Sequence, residues 1–139
     1  MEILDHYGID CKGKNAVVIG RSLVVGKPAA MMLIGKNATV TVCHTKTRDT
    51  AAVAREADIL ISAAGVLKSL TKDYVREGQI VIDVGMNWDP AKNGMSGDVA
   101  YADVEPIVDM ITPVPGGVGT VTSCILISHV VTAAERTLQ

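Results

Sequence analysis

The sequence contains no phenylalanine and one tryptophan in 139 residues, so a core has to be filled by Val, Ile, Leu, Ala and Met. That is the composition of α/β domains with buried parallel strands. It lacks an excess of positive charge: 13 Lys and Arg stand against 15 Asp and Glu, a formal net charge of -2, and no Lys/Arg-rich stretch stands out. Without a basic field to track a phosphate backbone, nucleic acid is not an expected partner. Apolar runs are broken by Gly, Ser, Thr or His well before about 18 residues, and Met1-Glu2-Ile3-Leu4-Asp5 lacks the basic start and apolar stretch of a signal peptide. The expectation is a soluble, cytoplasmic protein with no membrane partner. Cysteine is sparse: Cys11, Cys43 and Cys124 are odd in number and far apart, which excludes a disulfide framework and suits a reducing compartment. Cys43 adjoins His44, but no second Cys/His pair lies at zinc-ligand spacing, so no metal is expected.

What is present is a packable chain, 48% hydrophobic against 20% charged. At this length folding hides roughly two thirds of the surface that the unfolded chain exposes. Strand-like apolar runs at 16–20, 39–43, 59–62, 80–84 and 110–112 alternate with helical stretches at 25–34, 49–56, 71–76 and 101–108. Such alternation predicts an α/β fold, a Rossmann-like doubly wound, mostly parallel sheet. Residues 11–119 form the expected Rossmann-like domain. Two flanking pieces stand apart from that pattern. Residues 1–10 read as the end of a longer helix, with an apolar face of Ile3, Leu4 and Tyr7 that is too short to be stable alone. Residues 120–139 read as a helix whose Val121, Cys124, Ile125, Leu126, Ile127, Val130 and Val131 cover more than one stripe. One face is expected on the sheet and the other against a partner, with self-association as the alternative.

Gly20 ends the first strand and opens Gly20-Arg21-Ser22-Leu23-Val24-Val25-Gly26-Lys27-Pro28. A glycine there permits a tight turn and lets a pyrophosphate approach backbone N–H groups at the positive end of a helix. The spacing, with five residues between the glycines, fits a plain strand-to-helix turn equally well. It fails as a phosphate loop of nucleotide hydrolases, being one residue too long and carrying Pro28 where a hydroxyl must reach magnesium. The second strand ends in Cys43-His44-Thr45-Lys46-Thr47-Arg48, with no acid before Asp49. An acid there serves the ribose hydroxyls of NAD and would repel a 2'-phosphate; Thr45, Lys46, Arg48 and Arg21 would accept one. NADP is therefore the preferred cofactor, and a solvated basic turn is the alternative.

At these residues the chain resembles the bifunctional methylenetetrahydrofolate dehydrogenase/methenyltetrahydrofolate cyclohydrolase family. The resemblance rests on Gly20-Arg21-Ser22, Val25-Gly26-Lys27-Pro28, Ile82-Asp83-Val84-Gly85-Met86-Asn87, Gly97-Asp98-Val99 and Ile111-Thr112-Pro113-Val114-Pro115-Gly116-Gly117-Val118-Gly119. It implies that Gly20, Arg21 and Ser22 hold the pyrophosphate and adenosine side of NADP, with Arg21 and Thr45 toward the 2'-phosphate. Gly65, Gly85, Met86 and Asn87 would lie along the nicotinamide half. Pro115, Gly116, Gly117, Val118 and Gly119 would border the folate cleft, although Thr120 stands where the family usually has proline.

The family's lysine, set in a Tyr-x-x-x-Lys motif of another domain, has no counterpart here. Tyr7, Tyr74 and Tyr101 are followed four residues later by Cys11, Gly78 and Glu105, so no catalytic residue is expected in this chain. The same absence argues against a short-chain dehydrogenase. The implied activity is oxidation of 5,10-methylenetetrahydrofolate and hydrolysis of the product to 10-formyltetrahydrofolate, in a homodimer helped by an arm around residues 88–96. The alternative is a stand-alone, non-catalytic dinucleotide-binding module.

Overall fold

The structure, a computed structural model, describes residues 1–138. In chain order the elements are α1 (Glu2–His6), β1 (Asn15–Ile19), α2 (Gly26–Gly35), β2 (Thr39–Cys43), α3 (Thr50–Arg55), β3 (Ile59–Ser62), a 3-10 turn (Lys72–Tyr74) and β4 (Ile80–Asp83). There follow β5 (Asn87–Asp89), β6 (Gly94–Ser96), α4 (Tyr101–Val104), β7 (Met110–Ile111) and α5 (Val118–Thr137).

Five strands form one sheet in the order β2-β1-β3-β4-β7, every pair parallel. Their side chains alternate between two apolar layers, as the pleat requires. Ala16, Val18, Ile59 and Ile61 face Leu4 of α1 and Ala30 and Leu33 of α2. Val17, Ile19, Leu60 and Val81 face Ala54 of α3 and Val104 of α4. The inner strands β1, β3 and β4 are largely apolar along both faces because each face is roofed by helices, while β2, at the sheet edge, buries only Cys43. The fold is the α/β, Rossmann-like arrangement expected.

Local chemistry sets the helix ends. Asp49 caps α3 by accepting the Ala52 N–H at 3.1 Å, and Asn37, at φ 63°, turns the chain out after α2. Of the stretch expected to be helical from 101 to 108, only Tyr101–Val104 is: Glu105 still has helical dihedrals, φ -52° and ψ -40°, but Pro106 has no N–H to continue the hydrogen-bond ladder. The 71–76 stretch contains just the 3-10 turn.

The two flanking pieces behave differently from each other. Leu4 is 1% exposed and packs with Cys11 into the sheet layer, so α1 is anchored in the core, and of the expected apolar face of Ile3, Leu4 and Tyr7 just Tyr7 is strongly exposed. α5 begins two residues earlier than expected, at Val118, and none of its residues is buried. The face expected to lie on the sheet touches it only at its start, through Val118. Leu126, Ile127, Val130 and Val131, spaced to share one side, are 65%, 64%, 62% and 51% exposed. By length and composition α5 could cross a membrane; Thr122, Ser123, Ser128, His129 and Thr132 interrupt its apolar surface.

Candidate dinucleotide site

In a parallel sheet the carboxyl ends of the strands carry the ligand crevice, centred where the strand order reverses. Here the chain goes from β1 outward to β2, then returns to place β3 on the other side of β1, so the switch point lies between β1 and β3. Gly20 stands at that point. Its N–H donates to the Cys43 carbonyl at 2.9 Å, while the Ala63 N–H donates to the Ile19 carbonyl at 2.8 Å. With φ 122° and the Ala63 carbonyl pressed against the position a Cβ would occupy, only glycine fits. Gly26 is equally constrained, because a Cβ there would run into the Gly20 carbonyl.

The loop between them caps itself. Ser22 Oγ accepts from the Val25 N–H at 3.0 Å and the Gly26 N–H at 3.4 Å, and the Ser22 carbonyl accepts from Lys27 N–H at 3.0 Å. The first amides of α2 are thus already occupied, in contrast to the expectation that a pyrophosphate would meet them. The N–H groups of Arg21, Ser22, Leu23 and Val24 make no bond among the described residues. Four consecutive free amides on an exposed glycine-bounded loop form a surface suited to phosphate oxygens. The free amides therefore lie one step before the helix.

Adjacent β2 delivers the second group. Register pairs Ile19 with Cys43, so the exposed Thr45 and Lys46 leave the sheet beside the Gly20 loop. Their turn is braced by the His44 N–H donating to Thr47 Oγ1 at 2.9 Å and the Lys46 N–H donating to His44 Nδ1 at 3.1 Å. Burial pushes the Cys43 thiol up, which makes it a poor nucleophile or metal ligand near neutral pH. Among the described residues no three His, Cys, Asp or Glu side chains gather as a metal site would need.

On the far side of the switch point, Gly65 (φ 68°) follows β3, and Gly85, Met86 and Asn87 follow β4. Met86 is 72% exposed. The Gly65 N–H and Asn87 Nδ2 both donate to the carboxylate of Asp98, at 3.0 and 2.9 Å. Sequence reasoning included Asp98 in a matching motif without assigning it a part; an acid between Gly97 and Val99 in an otherwise apolar segment was the available signal. Burial pushes the neighbouring Asp83 carboxyl up, against the pull of three backbone N–H bonds.

Pro115, Gly116, Gly117, Val118 and Gly119 also lie beyond a carboxyl strand end, that of β7, and so at the far end of the same edge. The Val114–Pro115 peptide is cis, and Gly117 N-caps α5. Gly116 and Gly117 line a groove of about 490 Å³ together with Ile3, Tyr7, Tyr101 and Val121. The nine cofactor candidates thus share the β2–β4 part of the edge, and the other five are set apart from them.

A family model described as the tetrahydrofolate dehydrogenase/cyclohydrolase NAD(P)-binding domain matches residues 1–138 and so runs through α5. The bifunctional protein FolD of Carboxydothermus hydrogenoformans is 58% identical over 136 residues, covering 97% of this chain and 47% of that protein. FolD of Streptococcus pneumoniae serotype 2 is 55% identical over 139 residues, covering 99% and 48%. Among solved structures, the bifunctional enzyme FolD from Campylobacter jejuni superposes with TM-score 0.95 at 45% identity, covering 99% of this chain and 48% of that one. The Trypanosoma brucei methylenetetrahydrofolate dehydrogenase-cyclohydrolase, complexed with NADP cofactor and inhibitor, does so with TM-score 0.91 at 38% identity, covering 100% and 49%. The chain spans about half the length of the curated relatives it matches. With the switch-point glycine loop in place and the match unbroken from residue 1 to 138, the chain belongs to the tetrahydrofolate dehydrogenase/cyclohydrolase NAD(P)-binding domain family.

Proposed function

We propose that this chain binds NADP across the carboxyl edge of its sheet and serves as the dinucleotide half of an enzyme that oxidises 5,10-methylenetetrahydrofolate to the methenyl form and hydrolyses that to 10-formyltetrahydrofolate. The carrying observation is the run of four free amides at Arg21, Ser22, Leu23 and Val24 beside an acid-free strand end with Thr45 and Lys46. The amides suit the pyrophosphate; Arg21, Thr45 and Lys46 suit a 2'-phosphate. Gly65, Gly85, Met86 and Asn87 flank the nicotinamide half, and Pro115, Gly116, Gly117, Val118 and Gly119 border the folate. NADP, when bound, supplies the hydride acceptor. This chain's residues hold it, orient it and shape the cleft, so their contribution is geometric.

The lysine that assists both steps belongs to a second unit, and the exposed apolar side of α5 supports a packing surface for it. The short antiparallel hairpin of β5 and β6, which carries Trp88 at 58% exposure, supports a homodimer contact. Three free cysteines, two of them buried, agree with a cytoplasmic setting.

The assay is NADPH formation from 5,10-methylenetetrahydrofolate, with methenyl hydrolysis followed separately. Expected are no detectable cyclohydrolase and only trace dehydrogenase activity for this chain, and recovery of both when a Tyr-x-x-x-Lys domain is supplied. Robust hydrolysis by the chain alone would place the catalytic group here and overturn the assignment; tight NADP binding with no recovery would favour a non-catalytic module.

A further inference from the structure

Two aspartates interrupt otherwise apolar chain around the nicotinamide side of the edge. Asp83 closes β4 and Asp98 follows β6; they are 3% and 0% exposed. Buried carboxylates are tolerated when donors occupy their lone pairs. Asp98 Oδ2 accepts from Ser62 Oγ at 3.2 Å, Ala64 N–H at 2.7 Å and Gly65 N–H at 3.0 Å, while its Oδ1 accepts from Asn87 Nδ2 at 2.9 Å. One side chain therefore holds the end of β3, the loop after it and the first residue of β5. Asp98 is itself held: its N–H donates to Asp83 Oδ1 at 3.1 Å, which also accepts the Gly85 N–H at 2.9 Å, and Asp83 Oδ2 accepts the Val99 N–H at 2.9 Å. Gly85 has no space for a side chain because the Asp98 carboxylate fills it. The two loops that flank the crevice beyond the switch point thus share one acceptor.

We propose that Asp98 is a positioning residue that presets the loops at 63–65 and 85–87 for the nicotinamide half of the dinucleotide. The inference rests on the NADP reading above and adds the group that fixes this half of the site before cofactor arrives. An ionised carboxylate offers only acceptors, which four converging donors require; an amide in its place would turn its own N–H groups toward some of them. Loops ordered in advance do not have to be ordered on binding, so losing this acceptor weakens contacts to the nicotinamide end and leaves the adenine end, on the β2 side of the switch point, unaffected.

Asp98→Asn in the 139-residue chain tests this, with two probes titrated: NADPH, and adenosine 2',5'-bisphosphate, which has the adenine end and no nicotinamide. Expected is a loss of about tenfold or more in NADPH affinity, with adenosine 2',5'-bisphosphate affinity held within about twofold. Should Asp98→Asn fail to fold, as judged by its thermal transition, Ser62→Ala removes one donor at a position outside the site and is expected to give a smaller loss of the same selective kind. Equal losses for both probes would reduce Asp98 to a general structural role and overturn the proposal, as would unchanged NADPH affinity. If the unaltered chain binds neither probe, the NADP reading itself fails and the proposal falls with it; binding of adenosine 2',5'-bisphosphate without sensitivity of NADPH to Asp98 overturns the proposal alone.

Discussion

Gly97 is a position where one added carbon has nowhere to go. A Cβ there would collide with Asp83 Oδ2 and come within 2.9 Å of Val114 Cγ2, in a stretch where Asp83 already binds the Asp98 and Val99 amides. The neighbours are a bonded carboxylate and a packed side chain, so relief requires breaking one of them. Gly97→Ala is expected to destabilise the chain by about 1–3 kcal/mol, the usual cost of overpacking. Gly119 is the internal control: it is helical, has nothing within 4 Å of the Cβ position, and Gly119→Ala should be neutral or stabilising by up to about 1 kcal/mol. Denaturant midpoints measure both. Similar losses at the two sites would contradict the packing described around Asp83 and Asp98.

At the scale of elements, the β5–β6 hairpin is tied down from outside. Asp89 is buried, and its Oδ2 takes an ion pair from Lys68 Nζ at 2.6 Å and a hydrogen bond from Ser96 Oγ at 3.1 Å. The Lys68 ammonium, ahead of the opposing effect of burial, holds the Asp89 carboxyl below the ordinary carboxylate range. A depressed folded value means stability that is present above the unfolded carboxylate pKa of about 3.9 and lost as pH falls through the folded value. Asp89→Asn should therefore be less stable than the parent near neutral pH, with the gap closing as the medium is acidified below about pH 4. Asp83, pushed up by burial, shifts stability in the opposite sense but is common to both proteins and cancels. Unfolding midpoints across pH give the comparison, and a gap that does not change with pH would remove the ion pair from the account.

The same hairpin shows where sequence reading stops. β1, β3 and β4 were legible because strands covered on both faces are nearly continuous apolar runs, and the edge strand β2 because of its β-branched Thr and Val. The placement of the Gly20 turn, Arg21, Thr45 and Lys46 at adjacent strand ends was legible because the position of those ends follows from the pattern. β5 and β6 have three residues each, and they are held by Lys68, which no local periodicity reveals. The Asp98 cluster was invisible for a like reason, since its donors lie 11 to 36 residues away in sequence. Self-capping by Ser22 was equally hidden, because a serine in a loop announces a turn without saying which amides it takes.

For the whole molecule, the parts agree on one arrangement. A core built from both faces of a parallel sheet anchors α1 and leaves α5 with an uncovered apolar side. The carboxyl edge divides at the switch point into a part with free amides from Arg21 to Val24 beside Thr45 and Lys46, and a part at Gly65 and Asn87 hydrogen-bonded to Asp98. The central claim is that the first part selects a dinucleotide bearing a 2'-phosphate. Parallel titrations of the chain with NADPH and NADH at fixed ionic strength test it most directly. NADPH should bind at least about tenfold more tightly, or roughly 1.4 kcal/mol, and Arg21→Ala should erase most of that preference. Equal affinities for the two dinucleotides in the unaltered chain would contradict the claim.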